Sequence, residues 1–376
     1  MYSKPPNGWF PANCQTTAMS ILPHRDIETA MKLVLSLDVP FWPQLPNIDF
    51  YSDMYVQAMY DFPGVNIDFA EEQILFNTSG FTDQLGEYSG KMQANAEMPL
   101  EGQYGQLLNA FLEQDLANYP AIHGQMAGPI NLGFRVNDEN GRPLVYDDGI
   151  RSLLYDFVAR KYATQLKQLR KKNQNAFVWM DEPGMIWVFS GLSGYNDIIA
   201  RQEYGEFLAG MDGLKALHLC TNINLPYLLS LGIKMLSFDA YQLEIMPKDY
   251  TKSIAEFLRA GGILSWGIVP TEPLGIEKET PGSLAQRLVG YWEVITANTD
   301  LAAEDIARGA LLAPAKCCVK SLEFANAEAT DSKPAPTRFG CGASQHGKGS
   351  AEEQSVTLGY EYLKQVSRIL REKYHL

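Results

Sequence analysis

Residues 176–183, Ala-Phe-Val-Trp-Met-Asp-Glu-Pro, decide how this chain is read. An unbroken apolar and aromatic run ends abruptly in two carboxylates and a proline, which is the pattern of a strand buried on both faces that ends in functional residues. The pattern recurs in Ala216-Leu217-His218-Leu219-Cys220, in Lys234-Met235-Leu236-Ser237-Phe238-Asp239, and over 263–269 and 309–313. Between these runs lie stretches with helical spacing, over 148–172, 225–231, 251–260 and 283–297. Strand and helix in alternation predict a parallel sheet covered by helices. The 148–172 helix carries Ile150, Leu153, Leu154, Phe157, Val158, Tyr162, Leu166 and Leu169 on one face, with Asp147 or Asp148 placed to cap it. Its Lys167, Arg170, Lys171 and Lys172 form a solvated basic end that complements the helix dipole.

Working outward, strands are expected over 16–21, 40–42 and 125–132, which would complete a single (β/α)8 TIM barrel spanning residues 1–376. A surface insertion is expected at about 325–350, where the composition turns to Ala, Ser, Lys, Gly and Pro around Lys333-Pro334-Ala335-Pro336. A last helix at about 352–374 carries the apolar stripe Val356, Tyr360, Leu363, Val366 and Leu370. The competing architecture is two α/β domains meeting at the turn 137–141, Asn-Asp-Glu-Asn-Gly.

The chain of 376 residues is 46% hydrophobic and 20% charged, enough to bury a large core. Its 31 Lys and Arg stand against 44 Asp and Glu, a formal charge of −13 and the wrong sign for a phosphate-backbone partner, so nucleic acid is excluded. No window approaches the ~20 uninterrupted apolar residues of a membrane span. Cys14, Cys220, Cys317, Cys318 and Cys341 are too few, too scattered and odd in number for a disulfide framework. Pro5, Pro6, Asn7 and Gly8 occupy the place of a signal-peptide core. A soluble, cytoplasmic protein with no membrane partner is expected.

Chemistry gathers at the strand ends, where a β/α barrel keeps its active site. Asp181 and Glu182 end one run, His218 and Cys220 the next, Asp239 the third, and Cys317 follows 309–313. Together they offer the N, S and O donors that zinc prefers. A buried Cys is equally a small hydrophobe, and a lone His equally a hydrogen-bonded core residue. Spacing therefore leaves packing and metal binding both open, and it leaves open whether Cys317 or Cys318 would ligate, since neighbouring strand residues point to opposite faces. His24 lies at the first strand end, where it would either touch substrate or cap a loop. Trp42, Trp179 and Trp266 would either stack on a flat ligand or pack the core. Cys341 and His346 sit in a Gly-rich stretch that preorganises nothing.

The order Asp-Glu-Pro at 181–183, His-Leu-Cys at 218–220, Ser-Phe-Asp-Ala-Tyr at 237–241, Trp-Gly-Ile-Val-Pro-Thr at 266–271 and Lys-Cys-Cys-Val-Lys at 316–320 resembles the catalytic domain of cobalamin-independent methionine synthase. That domain shares a barrel superfamily with uroporphyrinogen decarboxylase and zinc thiol methyltransferases. Met-Ser-Ile-Leu-Pro-His at 19–24, Pro-Phe-Trp-Pro-Gln-Leu-Pro at 40–46 and Gly-Pro-Ile-Asn-Leu at 128–132 resemble its short, single-barrel members. The resemblance runs from about residue 15 to about 323. It implies a zinc-dependent methyltransferase acting on a homocysteine-like thiol. His218, Cys220 and Cys317 match the zinc ligands, Asp239 stands where the synthase has a ligating Glu, and Asp181 matches an acid that binds the amino acid substrate. Glu182, Gln44, His24 and Trp266 are the further substrate-binding candidates.

The chain also departs from the synthase pattern. Ser20-Ile21 replaces Gly-Ser, Gln44 replaces a Glu that contacts the ammonium, and Val269 stands where the synthases have a proton-donating His. Methyl transfer from N5 of a folate needs an acid for the leaving group. A methylcorrinoid releases cob(I)alamin, which needs no proton. The expected donor is therefore methylcobalamin or a corrinoid protein rather than methyltetrahydrofolate. The competing functions are a decarboxylase of tetrapyrrole type, a corrinoid or folate methyltransferase without a thiol acceptor, and a non-catalytic corrinoid or metabolite binder.

Overall fold

The computed structural model describes residues 10–190, 193–220, 224–317 and 349–376. Its strands are β1 (Gln15–Thr16), β2 (Val65–Asp68), β3 (Gln73–Phe76), β4 (His123–Ala127), β5 (Phe177–Asp181), β6 (Lys215–Leu219), β7 (Met235–Phe238), β8 (Ile263–Val269) and β9 (Ala310–Pro314). The seven-stranded sheet, in the order β1-β9-β8-β7-β6-β5-β4, is parallel throughout. Its edge strands β1 and β4 both bond to the extended segment 39–44: Val39 N donates to Thr16 O, Trp42 N to His123 O, and His123 N to Pro40 O. The sheet thus curls, in keeping with a TIM-like α/β fold. β2 and β3 form a separate antiparallel hairpin.

Helices cover the outside of the curl. Helix Asp148–Arg170 starts where the Asp147 side chain accepts from Ile150 N at 2.9 Å, and it buries Ile150, Leu154, Phe157, Val158, Tyr162, Leu166 and Leu169. Helix Gly349–Tyr374 buries its expected stripe from Val356 to Leu370. Each such side chain contributes about 1.5–3 kcal/mol when fully buried. That helix also ties down the chain before β1, through Ser367 Oγ to Cys14 O at 2.7 Å and Arg371 Nε to Asn13 O at 3.0 Å.

The early strands differ from expectation for local reasons. The run 16–21 is a strand only at Gln15–Thr16, with an isolated bridge from Ile21 to Gln44. Residues 40–42 touch β4 through the single bridge Phe41–His123, because Pro40 and Pro43 have no N–H to extend a ladder. The strand expected over 125–132 stops at Ala127, and Pro129, well suited to a first helical position, opens helix Pro129–Arg135. The hairpin and helix Thr78–Gln93 were not anticipated. Strands from both sides of the turn at 137–141 lie in the one sheet. The insertion expected at about 325–350 lies outside the described residues, apart from the helix start at Gly349.

Inside the curl, Phe177, Trp179, Ala216, Met235, Ile263 and Leu311 form an apolar plug. His123 closes its β4 side, stacked between Phe41 and Phe177 with ring centroids 5.3 and 5.0 Å away and Nε2 2.8 Å from Thr17 Oγ1. Burial pushes His123 down to about 3. The unfolded chain takes up this proton near the ordinary value of about 6.5, which the folded protein resists. Stability is therefore complete above about pH 6.5 and falls as the pH drops through that window toward 3. In urea denaturation, His123→Gln should lower the midpoint at about pH 7.5 yet lose less on going to about pH 5.5 than the wild type. An equally steep acid loss would place the effect elsewhere.

Candidate active site

Register builds the site. Asp181 pairs with His218, His218 with Ser237, and Ser237 with Ser265, so these residues form one rung across β5 to β8. Strand side chains alternate between faces, and this rung has the parity of Phe177, Trp179, Ala216, Met235 and Ile263. It therefore sits directly above the apolar plug, facing inward at the C-terminal mouth. Cys220 and Asp239 continue the same parity two residues past His218 and Ser237.

The rung is buried and partly unsatisfied. His218 is 1% exposed and Asp181 4%. His218 Nδ1 lies 3.1 Å from Ser237 Oγ, while Nε2 faces Asp181 Oδ1 at 4.0 Å. Among the described residues neither Nε2 nor Oδ1 has a hydrogen-bond partner, and the same holds for Ser20 Oγ and Ser265 Oγ. Burial pushes His218 down to about 3 and Asp181 up to about 7. Burial thus works against the charged form of each, and no attraction between the two at 4.0 Å offsets it. Burial, then the charge of Asp181, pushes the Cys220 thiol up to about 12. Only a cation at the mouth would hold it as a thiolate near neutral pH.

Gln125 on β4 knits the other side. Its Oε1 accepts from Ser20 N at 2.7 Å, its Nε2 lies 3.9 Å from Cys317 Sγ, and its amide works against burial by favouring the ionised Asp181 carboxylate. Gln44 Nε2 donates to Gln57 Oε1 at 3.0 Å and to Gln125 O at 3.2 Å. Asp239 is engaged by Gln242, whose N and Nε2 both donate to it, with Lys316 Nζ 4.0 Å away. Burial still pushes Asp239 up to about 6.

Several expected contacts are corrected. Glu182 has the opposite parity and turns away from the mouth, accepting from Asn131 N at 2.8 Å and Ile130 N at 3.2 Å at the start of helix Pro129–Arg135. Gly128 is required there, since a Cβ would lie 2.2 Å from Glu182 Oε1. Trp266 also faces outward, packed between Phe238 and Trp292 at 5.1 and 6.1 Å, and is a core residue. His24 is 1% exposed, and its charge neighbours are Glu353 and Asp26 rather than the mouth acids. Trp42 packs on Gly124, Trp179 belongs to the plug, and Val269 turns toward Gly359 of the last helix. Cys318, Cys341 and His346 lie outside the described residues.

Residues without an earlier role also bear on the site: Gln125, Ser237, Lys316 and, through its charge on Asp181, Arg135. The first two share the inward parity, a signal the strand pattern already contained. The others come from helices and loops whose approach no strand pattern encodes. Among the described residues no group of three or more His, Cys, Asp or Glu side chains is gathered closely enough to hold a metal ion. The donor chemistry of His218 and Cys220 nonetheless fits zinc, because Nε2 is buried without a partner and its ring is steadied from behind by Ser237.

The two adjacent carboxylates should separate in mutagenesis. Glu182→Ala strands two buried backbone N–H groups and should lower stability by roughly 2–4 kcal/mol. Asp181→Asn removes a desolvated acid and should leave stability within about 1 kcal/mol while weakening ligand binding. Urea denaturation of both variants checks this, and equal losses would contradict it.

Neither a family model nor a curated protein matches the chain. Among solved structures it is similar to a B12-independent methionine synthase from Shewanella sp. W3-18-1 in complex with selenomethionine, at 13% identity and a TM-score of 0.40, over 67% of this chain and 63% of that one. It is also similar to a candidate vitamin-B12 independent methionine synthase from Listeria monocytogenes, at 12% identity and a TM-score of 0.47, over 96% of this chain and 98% of that one.

Proposed function

We propose that this chain is a single closed (β/α)8 barrel that transfers a methyl group to a small-molecule, homocysteine-like thiol, with zinc as cofactor and a methylcorrinoid as donor. The observation that carries the reading is His218, a buried imidazole held at Nδ1 by Ser237, with an unpartnered Nε2 and Cys220 two residues on. Closure is supported by segment 39–44, which bonds to both edge strands and would serve as the eighth position.

The residues divide the work. Ser237 steadies the His218 ring, so that Nε2 can present a lone pair to a metal. Cys220 and Cys317 supply soft donors from neighbouring parts of the mouth, and Asp239 a further oxygen. Zinc, when bound, lowers the pKa of a substrate thiol and stabilises its thiolate. Asp181 and Gln125 form a polar wall that receives the polar end of the substrate. A methylcorrinoid would supply an electrophilic methyl group and keep the bonding electron pair, so these residues would need only to hold the substrate sulfur toward it. Such a donor would call for no general acid at the mouth. A corrinoid protein is the proposed macromolecular partner, and a reducing cytoplasm would keep the thiols active.

Purified protein should hold about one zinc per chain, and Cys220→Ala or His218→Ala should lose it together with methyl transfer from methylcobalamin to homocysteine. Methyltetrahydrofolate should be slower by ~10²- to 10⁴-fold. Full activity in metal-free protein would overturn the zinc reading. Equal rates with both donors would overturn the choice of donor. Decarboxylation of a tetrapyrrole carboxylate without methyl transfer would establish the competing enzyme.

A further inference from the structure

The hairpin of β2 and β3 carries a surface that shares no residue with the mouth. Asn77 N donates to Gly64 O at 2.9 Å, so this pair, and with it Asn66–Leu75 and Asp68–Gln73, forms the hydrogen-bonded rungs of the ladder. Val65 and Ile67 therefore turn their backbone groups away from β3. Val65 N is answered locally, donating to Phe62 O at 3.1 Å. Among the described residues no group bonds to Val65 O or to the N–H and C=O of Ile67. This free edge borders a cavity of about 410 Å³ that Tyr60, Phe69 and Tyr104 also line. Tyr104 stacks on Tyr60 at 4.0 Å between ring centroids, and Tyr51 links Tyr104 to Phe69 at 4.9 and 4.0 Å. The wall is preformed: Gln57 Nε2 donates to Tyr104 O at 3.1 Å, and Gln84 Oε1 accepts from Gly64 N at 2.8 Å, tying helix Thr78–Gln93 to the base of the hairpin. Asp61 and Glu87 supply its charge. Lys91, the one cation among the described lining residues, lies 3.3 Å from a carboxylate oxygen of each, so a net negative charge remains. Glu71 and Glu72 stand exposed at the hairpin turn.

We propose that the free edge of β2 takes up an extended segment of a partner protein, rich in lysine or arginine, as a third strand of the hairpin. An open edge is a template for another strand, and backbone bonds to Ile67 would set the register of the incoming chain. Side chains alternate along such a segment, so apolar ones reach the aromatic wall and basic ones meet Asp61 and Glu87. An acidic segment or a nucleic acid meets like charge here. So does a second copy of this chain, whose own edge would bring the same carboxylates against these. The proposal is independent of the chemistry at the mouth.

Fluorescence anisotropy with labelled peptides tests it on the full chain. A hexapeptide of alternating lysine and valine should bind about 10-fold more tightly than its glutamate and valine counterpart, and more weakly as salt is added. Asp61→Asn, a residue suited to the φ of 68° at that position, and Glu87→Gln should each weaken it by ~2- to 5-fold, while Lys91→Met should tighten it by a similar factor. Ile67→Pro removes an outward N–H and no ladder bond, and should weaken binding by about 10-fold with an unchanged melting temperature. Two further peptides leave the protein untouched, one N-methylated at every lysine and the other at every valine. Only one residue parity of an added strand bonds to the edge, so one of these should lose about 10-fold and the other keep its affinity. Equal effects of the two methylation patterns, equal binding of the glutamate peptide, or no binding at all overturns the proposal. Lysine amide binding as tightly as the hexapeptide would assign the cavity to small organic cations and overturn strand addition. A chain that sediments as a dimer and becomes monomeric in Ile67→Pro would give the edge to a second copy and overturn it as well.

Discussion

Register in the parallel sheet is the constraint on which the mouth depends. Trp179, Ala216, Met235 and Ile263 pair in succession, and two residues later so do Asp181, His218, Ser237 and Ser265. A slip of one residue in β5 would turn Glu182 inward and bury Asp181 among the helices, and a slip in β6 would exchange His218 for Leu219. The apolar plug resists such slips, because each would drive large apolar side chains out of it. The packing that stabilises the lower interior thereby fixes the alignment of the polar rung above it.

That rung is retained against its own energetics. A buried polar atom left without a partner costs about 1–3 kcal/mol, and Asp181, His218, Ser20 and Ser265 each carry one. Elsewhere some buried polar groups are answered, Glu182 by two backbone N–H groups, His123 by Thr17, and Lys161 by Gln57 O at 2.7 Å and the rings of Tyr60 and Phe157, while others such as His24 Nδ1, Gln15 Oε1 and Gln165 Oε1 are not. What sets the rung apart is that Asp181, His218 and Ser265 lie on the same inward face at the mouth, as in a site preorganised for a ligand at some expense in stability. The contrast between Asp181 and Glu182 makes the point within a single pair of residues.

Much of this was legible in the sequence. Central strands buried on both faces read as continuous apolar runs, so β5 to β9 stood out, as did the long helix Asp148–Arg170 and the stripe of the last helix. The first half was less legible because prolines break its ladders and its strands are reduced to bridges. Among site residues, Asp181, His218 and Cys220 followed from strand-end position. Strand-end position alone does not separate Glu182 and Trp266 from their inward neighbours, whereas parity turns both toward the helices.

The central claim is that the inward rung and the residues just past it form a site where a thiol is activated beside His218 and Cys220. X-ray absorption at the zinc edge of the loaded protein, recorded before and after adding homocysteine, tests it most directly. The account predicts a mixed shell of sulfur and nitrogen or oxygen donors that loses sulfur in Cys220→Ala and gains one sulfur when the thiol is added. A shell of nitrogen and oxygen alone, or one that the thiol leaves unchanged, would contradict it.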